Sequence, residues 1–144
     1  MNVLVVVLNY KGWEDTIKCL ESLKQQTYAK FQIYLIENNS ADGSAEKLEP
    51  IVADDRQIIF DKQETNTGFT GGVNIGIQYA IDNDFDAVAL FNNDAQADKN
   101  WLKNLVKAAE KTEASMVTGL LLSEDGKTID DAGDVYTMWG VPEL

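Results

Sequence analysis

Val3-Leu-Val-Val-Val-Leu8, followed at once by Asn9-Tyr10-Lys11-Gly12, decides the class of the fold. A continuous apolar run of β-branched residues and leucine, with no polar alternation, reads as a strand buried on both faces. The abrupt switch to an amide, an aromatic ring, a cation and a glycine marks its end. Working outward, Trp13, Ile17, Leu20 and Leu23 recur at helical spacing, and residues 31–36 form a second apolar run. The Ser40-Ala-Asp-Gly-Ser44 stretch supplies turn and N-cap chemistry for a short helix reaching Leu48 before Pro50. Residues 57–60 read as a third strand. A glycine-rich stretch, residues 67–72, leads into a helix with Val73, Ile77, Ala80 and Ile81 on one side. Residues 87–91 are a fourth strand. Asp98 caps a helix whose face is Trp101, Leu102, Leu105, Val106 and Ala109, and residues 116–122 read as a fifth strand. Glu124-Asp-Gly-Lys127 carries an Asp-Gly turn signal, after which the pattern fades.

Strand and helix alternate, and the strands are apolar throughout. The expected fold is therefore α/β: a mainly parallel, Rossmann-like sheet flanked by helices on both faces. Right-handed crossovers order the first three strands 3-2-1, and reversal of the winding sets the fourth beside the first. The length of 144 residues suits one domain, with no internal repeat and no interdomain linker.

Composition excludes several classes of function. With 24 acidic against 12 basic residues and a net charge of −12, the chain would repel a phosphate backbone, and its cations are scattered singly, so no nucleic acid is expected as partner. There is no histidine, which removes Ser-His-Asp and Cys-His machinery and any imidazole-ligated metal. The single cysteine, Cys19, rules out an intrachain disulfide and a thiolate cluster. It flanks the first helix stripe and reads as a small buried hydrophobe. The N-terminal apolar run is far short of the roughly 20 residues of a spanning helix and has no basic leader. A cytoplasmic location is expected.

In sheets of this kind ligands sit beyond the carboxyl ends of the strands, so the informative residues are those just after each strand. The first strand ends in Asn9-Tyr10-Lys11-Gly12, the second in Glu37-Asn38-Asn39-Ser40 and the fourth in Asn92-Asn93-Asp94. The segment Asn66-Thr-Gly-Phe-Thr-Gly-Gly-Val-Asn-Ile-Gly76 follows the third. Amides and carboxylates are costly to bury without partners, and their convergence on one sheet edge points to a polar ligand site. The glycine-rich segment is not a phosphate loop, for no Lys-Ser/Thr follows, nor a dinucleotide fingerprint, for it does not follow the first strand. It is either a tight strand-to-helix turn or a backbone held close to a ligand at a helix N-terminus. Phe69 within it either covers the ligand or folds into the core. Asn92-Asn93-Asp94 suits a divalent cation shared with substrate phosphates, Mg²⁺ or Mn²⁺, and equally suits a turn or N-cap.

Taken together, Val5-Val-Val-Leu-Asn-Tyr10, Cys19-Leu-Glu-Ser-Leu-Lys-Gln-Gln-Thr27, Ile36-Glu-Asn-Asn-Ser-Ala-Asp-Gly-Ser44, the glycine-rich segment, Leu90-Phe-Asn-Asn-Asp94 and Trp101-Leu102 occur in a familiar order and spacing. Over residues 2–110 the chain resembles the family 2 glycosyltransferases, inverting enzymes of the GT-A fold, and in particular their rhamnosyltransferase-like branch. The resemblance implies that Leu8, Asn9 and Tyr10 line the nucleotide base. It implies that Glu37 and Asn38 stand for the acidic pair that meets base and ribose. Glu37 is one methylene longer than the usual aspartate, and Asn38 would accept from the pyrimidine N3–H through its carbonyl oxygen. Asn66, Gly68, Phe69, Gly72 and Asn74 would pack along the nucleotide, with Asn92 and Asn93 beside them. Asp94 matches the metal-binding aspartate, in a site less charged than a full Asp-x-Asp.

What the resemblance implies for function is transfer from a nucleotide-diphosphate sugar, dTDP-rhamnose or a UDP-sugar, to a cell-surface polysaccharide or lipid-linked glycan, at the inner face of the membrane. A divalent cation would offset charge on the leaving diphosphate, and a carboxylate would take the acceptor proton. The family's general base belongs to a later Glu-Asp-type motif that this sequence does not contain. Asp130, Asp131 and Asp134 read as solvated loop residues, and Asp131-Ala-Gly-Asp134 resembles a segment preceding the acceptor half. The chain is thus expected to be a single nucleotide-sugar-binding domain over 1–144, cut short of the acceptor-binding half. An apolar face left bare there would favour a homodimer. The alternatives are a nucleotide-binding module without catalysis, and a sugar-nucleotide nucleotidyltransferase. The latter wants a basic Gly-rich loop after the first strand, which Asn9-Tyr-Lys-Gly12 does not supply. Trp13 and Trp101 read as packing residues, Trp139 as a surface aromatic or a wall of an acceptor site.

Overall fold

The computed structural model describes residues 1–123, 126–131, 135–136 and 142–143. They fall into two compact units, Met1–Leu102 and Lys103–Leu144. In the first, β1 (Val3–Asn9), α1 (Trp13–Lys24), β2 (Phe31–Glu37), α2 (Ser44–Val52), β3 (Ile58–Lys62), α3 (Gly68–Asp82) and β4 (Ala87–Asn92) alternate as the sequence predicts. The sheet order is β3-β2-β1-β4, and every pairing is parallel. The central β1 is buried almost throughout, which is why it tolerates no polar alternation.

The two faces of β1 meet different partners. Leu4 and Val6 join Tyr34, Ile36 and Ala80 in one cluster beneath α3, with Leu8, Ile75 and Tyr79 packed against it. Tyr34 stacks on Tyr79 with ring centroids 4.4 Å apart, and its hydroxyl donates to Asp61. The opposite face carries Asn9, whose side chain meets Thr16 of α1. Helices therefore cover both faces, as expected for this class.

The helices depart from the sequence reading in three places. α2 does not stop at Leu48 but runs through Pro50 to Val52. Leu48 and Val52 are both buried, and their burial outweighs the lost hydrogen bond of the proline in the last turn. The glycine-rich segment is no lead-in loop, since α3 begins at Gly68, whose φ of +70° is the left-handed region where glycine is at no disadvantage. The buried face of α3 is Gly72, Gly76 and Ala80, so of the expected Val73, Ile77, Ala80 and Ile81 only Ala80 is buried, and Ile81 is 64% exposed. The glycines let the helix axis approach β1: a Cβ at Gly76 would lie 2.6 Å from a Val6 methyl, and one at Gly72 2.5 Å from a Leu8 methyl. Asp98 opens a turn, its carboxylate accepting from the Asn100 N–H and its carbonyl from that of Trp101. The Trp101 ring meets Phe91 edge-on at 4.7 Å.

α4 (Trp101–Thr112) follows, with Leu102 and Val106 buried on the predicted stripe. The second unit adds two antiparallel ladders, β5 (Leu121–Leu122) with β6 (Ile129–Asp131) and β7 (Val135–Tyr136) with β8 (Pro142–Glu143). The fifth strand expected over 116–122 is therefore only its last two residues, in a separate sheet. An apolar run adopts a strand only with a neighbour to pair with, and Met116 is instead 91% exposed. Gly126, at φ +64°, turns the β5–β6 hairpin, and Ser123 donates to the Thr128 carbonyl across it. Glu124 and Asp125 of the turn motif, Asp134 and Trp139 lie outside the described residues. Asp130 is exposed. Among the described residues no helix is long and apolar enough to cross a membrane.

Candidate functional site

The carboxyl ends of three strands lie level: Asn9 sits opposite Glu37, and Leu8 opposite Asn92. Side chains then tie the polar clusters together. The Asn9 carbonyl oxygen accepts from the Thr16 hydroxyl at 2.9 Å, and its amide faces Glu37 and Ser40 at 3.5 and 3.4 Å. The Glu37 carboxylate accepts from the backbone N–H groups of Asn39 and Ser40. Ser40 Oγ accepts from the N–H of Lys11, which joins the turn after β2 to the turn after β1. Asn93 donates to Thr16 Oγ1 at 3.0 Å, joining the turn after β4 to α1. Asn9, Thr16, Glu37, Asn38 and Ser40 are all buried, and among the described residues no buried side-chain polar atom lacks a partner. Thr16 carries no chemistry that marks it in the sequence, and Ser40 is marked there only as a member of the turn after β2. Only their position one helical turn or one short loop from a strand end betrays them.

Thr16 is the hub of this network, because its hydroxyl meets Asn9 and accepts from Asn93. Thr16→Val keeps the shape but removes the donor to the Asn9 side-chain oxygen and the closer acceptor of the Asn93 amide. The expected loss is about 2 kcal/mol of unfolding free energy, measured by urea denaturation. A change below about 0.5 kcal/mol, the level of a neutral surface substitution, would show the network to be dispensable.

Beyond this network a cavity of about 340 Å³ opens on the α3 side of the sheet. Val6, Leu8 and Tyr10 line it from β1 and its exit, and Leu90, Phe91, Asn92 and Asn93 from β4 and the turn after it. Asn38, Asn66, Gly68, Phe69 and Val73 complete it from the end of β2 and the start of α3. Of the residues singled out in the sequence, Leu8, Tyr10, Asn38, Asn66, Gly68, Phe69, Asn92 and Asn93 are thus brought together. Phe69 is 63% exposed and stays out of the core. Asn9 and Glu37 lie behind the wall, Gly72 lies under Leu8, and Asn74 is exposed on α3 away from the cavity. Val6, Val73, Leu90 and Phe91 line the cavity without having been singled out. They read as strand and helix core, and only the half-exposed state of β4 leaves two of them at the cavity.

Asp94 follows the cavity wall directly and is exposed. Its charge adds to burial in pushing the neighbouring Cys19 thiol up to about 12, burial being the larger cause. Cys19 is therefore a neutral thiol near pH 7, hydrogen-bonded to the Asn92 carbonyl. Among the described residues no three acidic or sulfur side chains converge on a metal position. One exposed carboxylate with amide oxygens nearby is the donor set that Mg²⁺ or Mn²⁺ accepts when phosphates and water fill the rest. The residues present therefore fit a cation that arrives with a diphosphate, not one held in an all-protein cage.

A parallel sheet with a cavity beyond its strand ends at the reversal of winding is the arrangement of the open α/β folds, in which ligands bind at that edge. The chain's fold is shared with GT-A glycosyltransferases of known structure. TarS of S. aureus, solved with UDP-GlcNAc, matches with a TM-score of 0.65 at 20% identity, over 78% of this chain and 32% of that one. A mannosyltransferase of Pyrobaculum calidifontis, solved with GDP-Man and Mn²⁺, matches with a TM-score of 0.67 at 18% identity, over 75% and 32%. In sequence the chain is 25% identical to the glycosyltransferase GlyG of Streptococcus pneumoniae over 117 residues, covering 81% of this chain and 38% of that protein. The model of the Glycosyl transferase family 2 matches residues 3–134, and the chain belongs to that family. It spans less than two fifths of the length of GlyG.

Proposed function

We propose that this chain is the donor-binding part of an inverting glycosyltransferase of the rhamnosyltransferase-like branch, taking a dTDP- or UDP-sugar together with a divalent cation. The observation that carries the reading is the cavity itself. Apolar strand residues, two exposed aromatic rings and a row of amides face one another there, and the exposed Asp94 carboxylate stands at its margin. Tyr10 and Phe69 offer faces on which a flat base can stack, and Asn92 and Asn93 offer polar groups to the sugar and diphosphate. Asp94 would hold the cation. A bound cation supplies Lewis-acid and electrostatic stabilisation of charge on the departing diphosphate. The acceptor would be a cell-surface polysaccharide or lipid-linked glycan, with the protein working in the cytoplasm at the inner face of the membrane.

No residue lining the cavity carries a carboxylate. The proton of an acceptor hydroxyl would thus have to go to a group outside it. That observation favours a second reading, in which this chain binds the nucleotide without turning it over. Thermal unfolding with UDP, dTDP or GDP, each with and without Mn²⁺, tests the binding claim. A ligand at about 100 times its dissociation constant stabilises by roughly 2.7 kcal/mol. The expected result is stabilisation by a pyrimidine nucleoside diphosphate that needs the metal and is lost in Asp94→Ala. Stabilisation that survives Asp94→Ala undiminished would remove Asp94 from the metal site. Absence of any shift would remove the donor site from this chain. Release of the nucleotide from a donor sugar on addition of acceptor separates the enzyme from the binding module.

A further inference from the structure

The Asn38 side chain is buried to 1% exposure, and its amide has no hydrogen-bonding capacity to spare. Its Oδ1 accepts from the Thr67 N–H at 3.0 Å and from the Thr67 hydroxyl at 3.1 Å. Its Nδ2 donates to Asn66 Oδ1 at 3.1 Å and to the Gly68 carbonyl at 3.2 Å. An asparagine has two N–H donors and two lone pairs on oxygen, and all are engaged. The direction of the amide is fixed by groups of known polarity. The Thr67 N–H can only face an oxygen, and the Gly68 carbonyl can only face a donor. Asn66 is fixed likewise, because its Oδ1 also accepts from the Gly68 N–H at 2.7 Å.

We infer that Asn38 is a positioning residue: its amide locks the 66–68 turn, and with it the start of α3 and the aromatic lip at Phe69, while giving no hydrogen bond to a nucleobase. The inference rests on the proposed donor site for its second half only. It makes the amide a requirement. An aspartate at this position would still accept from Thr67 but would set an oxygen against the Gly68 carbonyl and against Asn66 Oδ1, where no donor remains. Base selection is left to the walls of the cavity, chiefly Leu8, Tyr10, Phe69 and Leu90, by shape and stacking.

The test compares the parent chain with Asn38→Asp and Asn38→Ala. Melting temperature, amide exchange by NMR, and affinity for UDP and N3-methyl-UDP with Mn²⁺ are measured on each. Asn38→Asp is expected to melt lower, to exchange the Thr67 and Gly68 amides about tenfold faster while those of β1 keep their protection, and to bind UDP more weakly. The ratio of the two nucleotide affinities is expected to be the same in the parent and in Asn38→Ala. A residue that reads the base gives the opposite pattern. Asn38→Asp then melts as the parent does and binds UDP as well or better, and the preference for UDP over its N3-methyl derivative collapses in Asn38→Ala. Either of those results overturns the inference. Should the parent bind neither nucleotide, the donor-site proposal fails by itself. Melting and exchange then decide the role of Asn38, and unchanged Thr67 and Gly68 exchange in Asn38→Asp overturns it.

Discussion

Glu37→Gln is expected to cost about 3 kcal/mol of folding free energy, the desolvation of one stranded backbone donor plus the loss of charge-assisted bonds. The carboxylate is buried, and its two oxygens serve different N–H groups, Ser40 at 2.9 Å and Asn39 at 3.1 Å. Glutamine has one oxygen. Whichever way its amide turns, an NH₂ group faces a backbone N–H, and in one of the two orientations it faces the Asn9 amide as well. The turn after β2 is shaped by these bonds, with Asn39 and Ala41 both at positive φ. Urea denaturation of Glu37→Gln beside the exposed control Glu14→Gln measures the effect. Equal midpoints for the two variants would sink the argument.

Gly76→Ala is the second large effect. A Cβ there would lie 2.6 and 2.7 Å from the two methyls of Val6 and 3.2 Å from its Cβ. Because both methyls are in the way, no rotation of Val6 relieves the overlap, and Val6 sits in the central strand of the sheet. α3 must lift off the sheet. Alanine recovers about 1 kcal/mol of helix propensity over glycine, against overpacking that costs typically about 1–3 kcal/mol and occasionally more. With backbone as the only thing that can yield, the upper end applies and the expected net loss is about 2 kcal/mol. Gly72→Ala contrasts with it. Its overlap is with the far end of Leu8, which lines the cavity and can swing into it. That variant is expected to keep most of its stability and to lose nucleotide affinity instead. Melting and UDP titration of both variants would show the two losses in opposite proportion. Equal losses of stability would refute the distinction.

The strand order was legible because it follows from the winding of an alternating chain and the handedness of crossovers. The packing face of α3 was not. Hydrophobic periodicity counts side chains, and two of the buried residues there, Gly72 and Gly76, are glycines, which leave no such mark. The run at 116–122 failed for the converse reason: it has strand composition, but pairing is a property of neighbours and not of the segment. Of the site, the convergence of polar clusters was legible from strand ends alone. What each member does was not. Asn9, Glu37 and Asn38 have the chemistry of ligand-binding residues, and in the fold their polar atoms meet Thr16, Ser40, Asn66 and Thr67 instead. A sequence gives donor and acceptor types, whereas satisfaction depends on three-dimensional neighbours.

The all-parallel pairing of the sheet has a kinetic consequence. Parallel neighbours cannot be joined by a hairpin, so every pairing closes a long loop. β1 finds β2 first along the chain, and β2 finds β3. β1 meets β4 only across the intervening β2 and β3, with Val3 beside Ala87. Non-local contacts of this kind form late. As the chain leaves the ribosome, three strands can assemble before β4 exists, and the cavity is still missing the wall that carries Leu90, Phe91 and Asn92. Within the parallel sheet β4 is also the strand with the most solvent contact, so the latest wall to form is the one with least holding it in place. Within the parallel sheet the pocket is thus the last part to be born and the first to breathe.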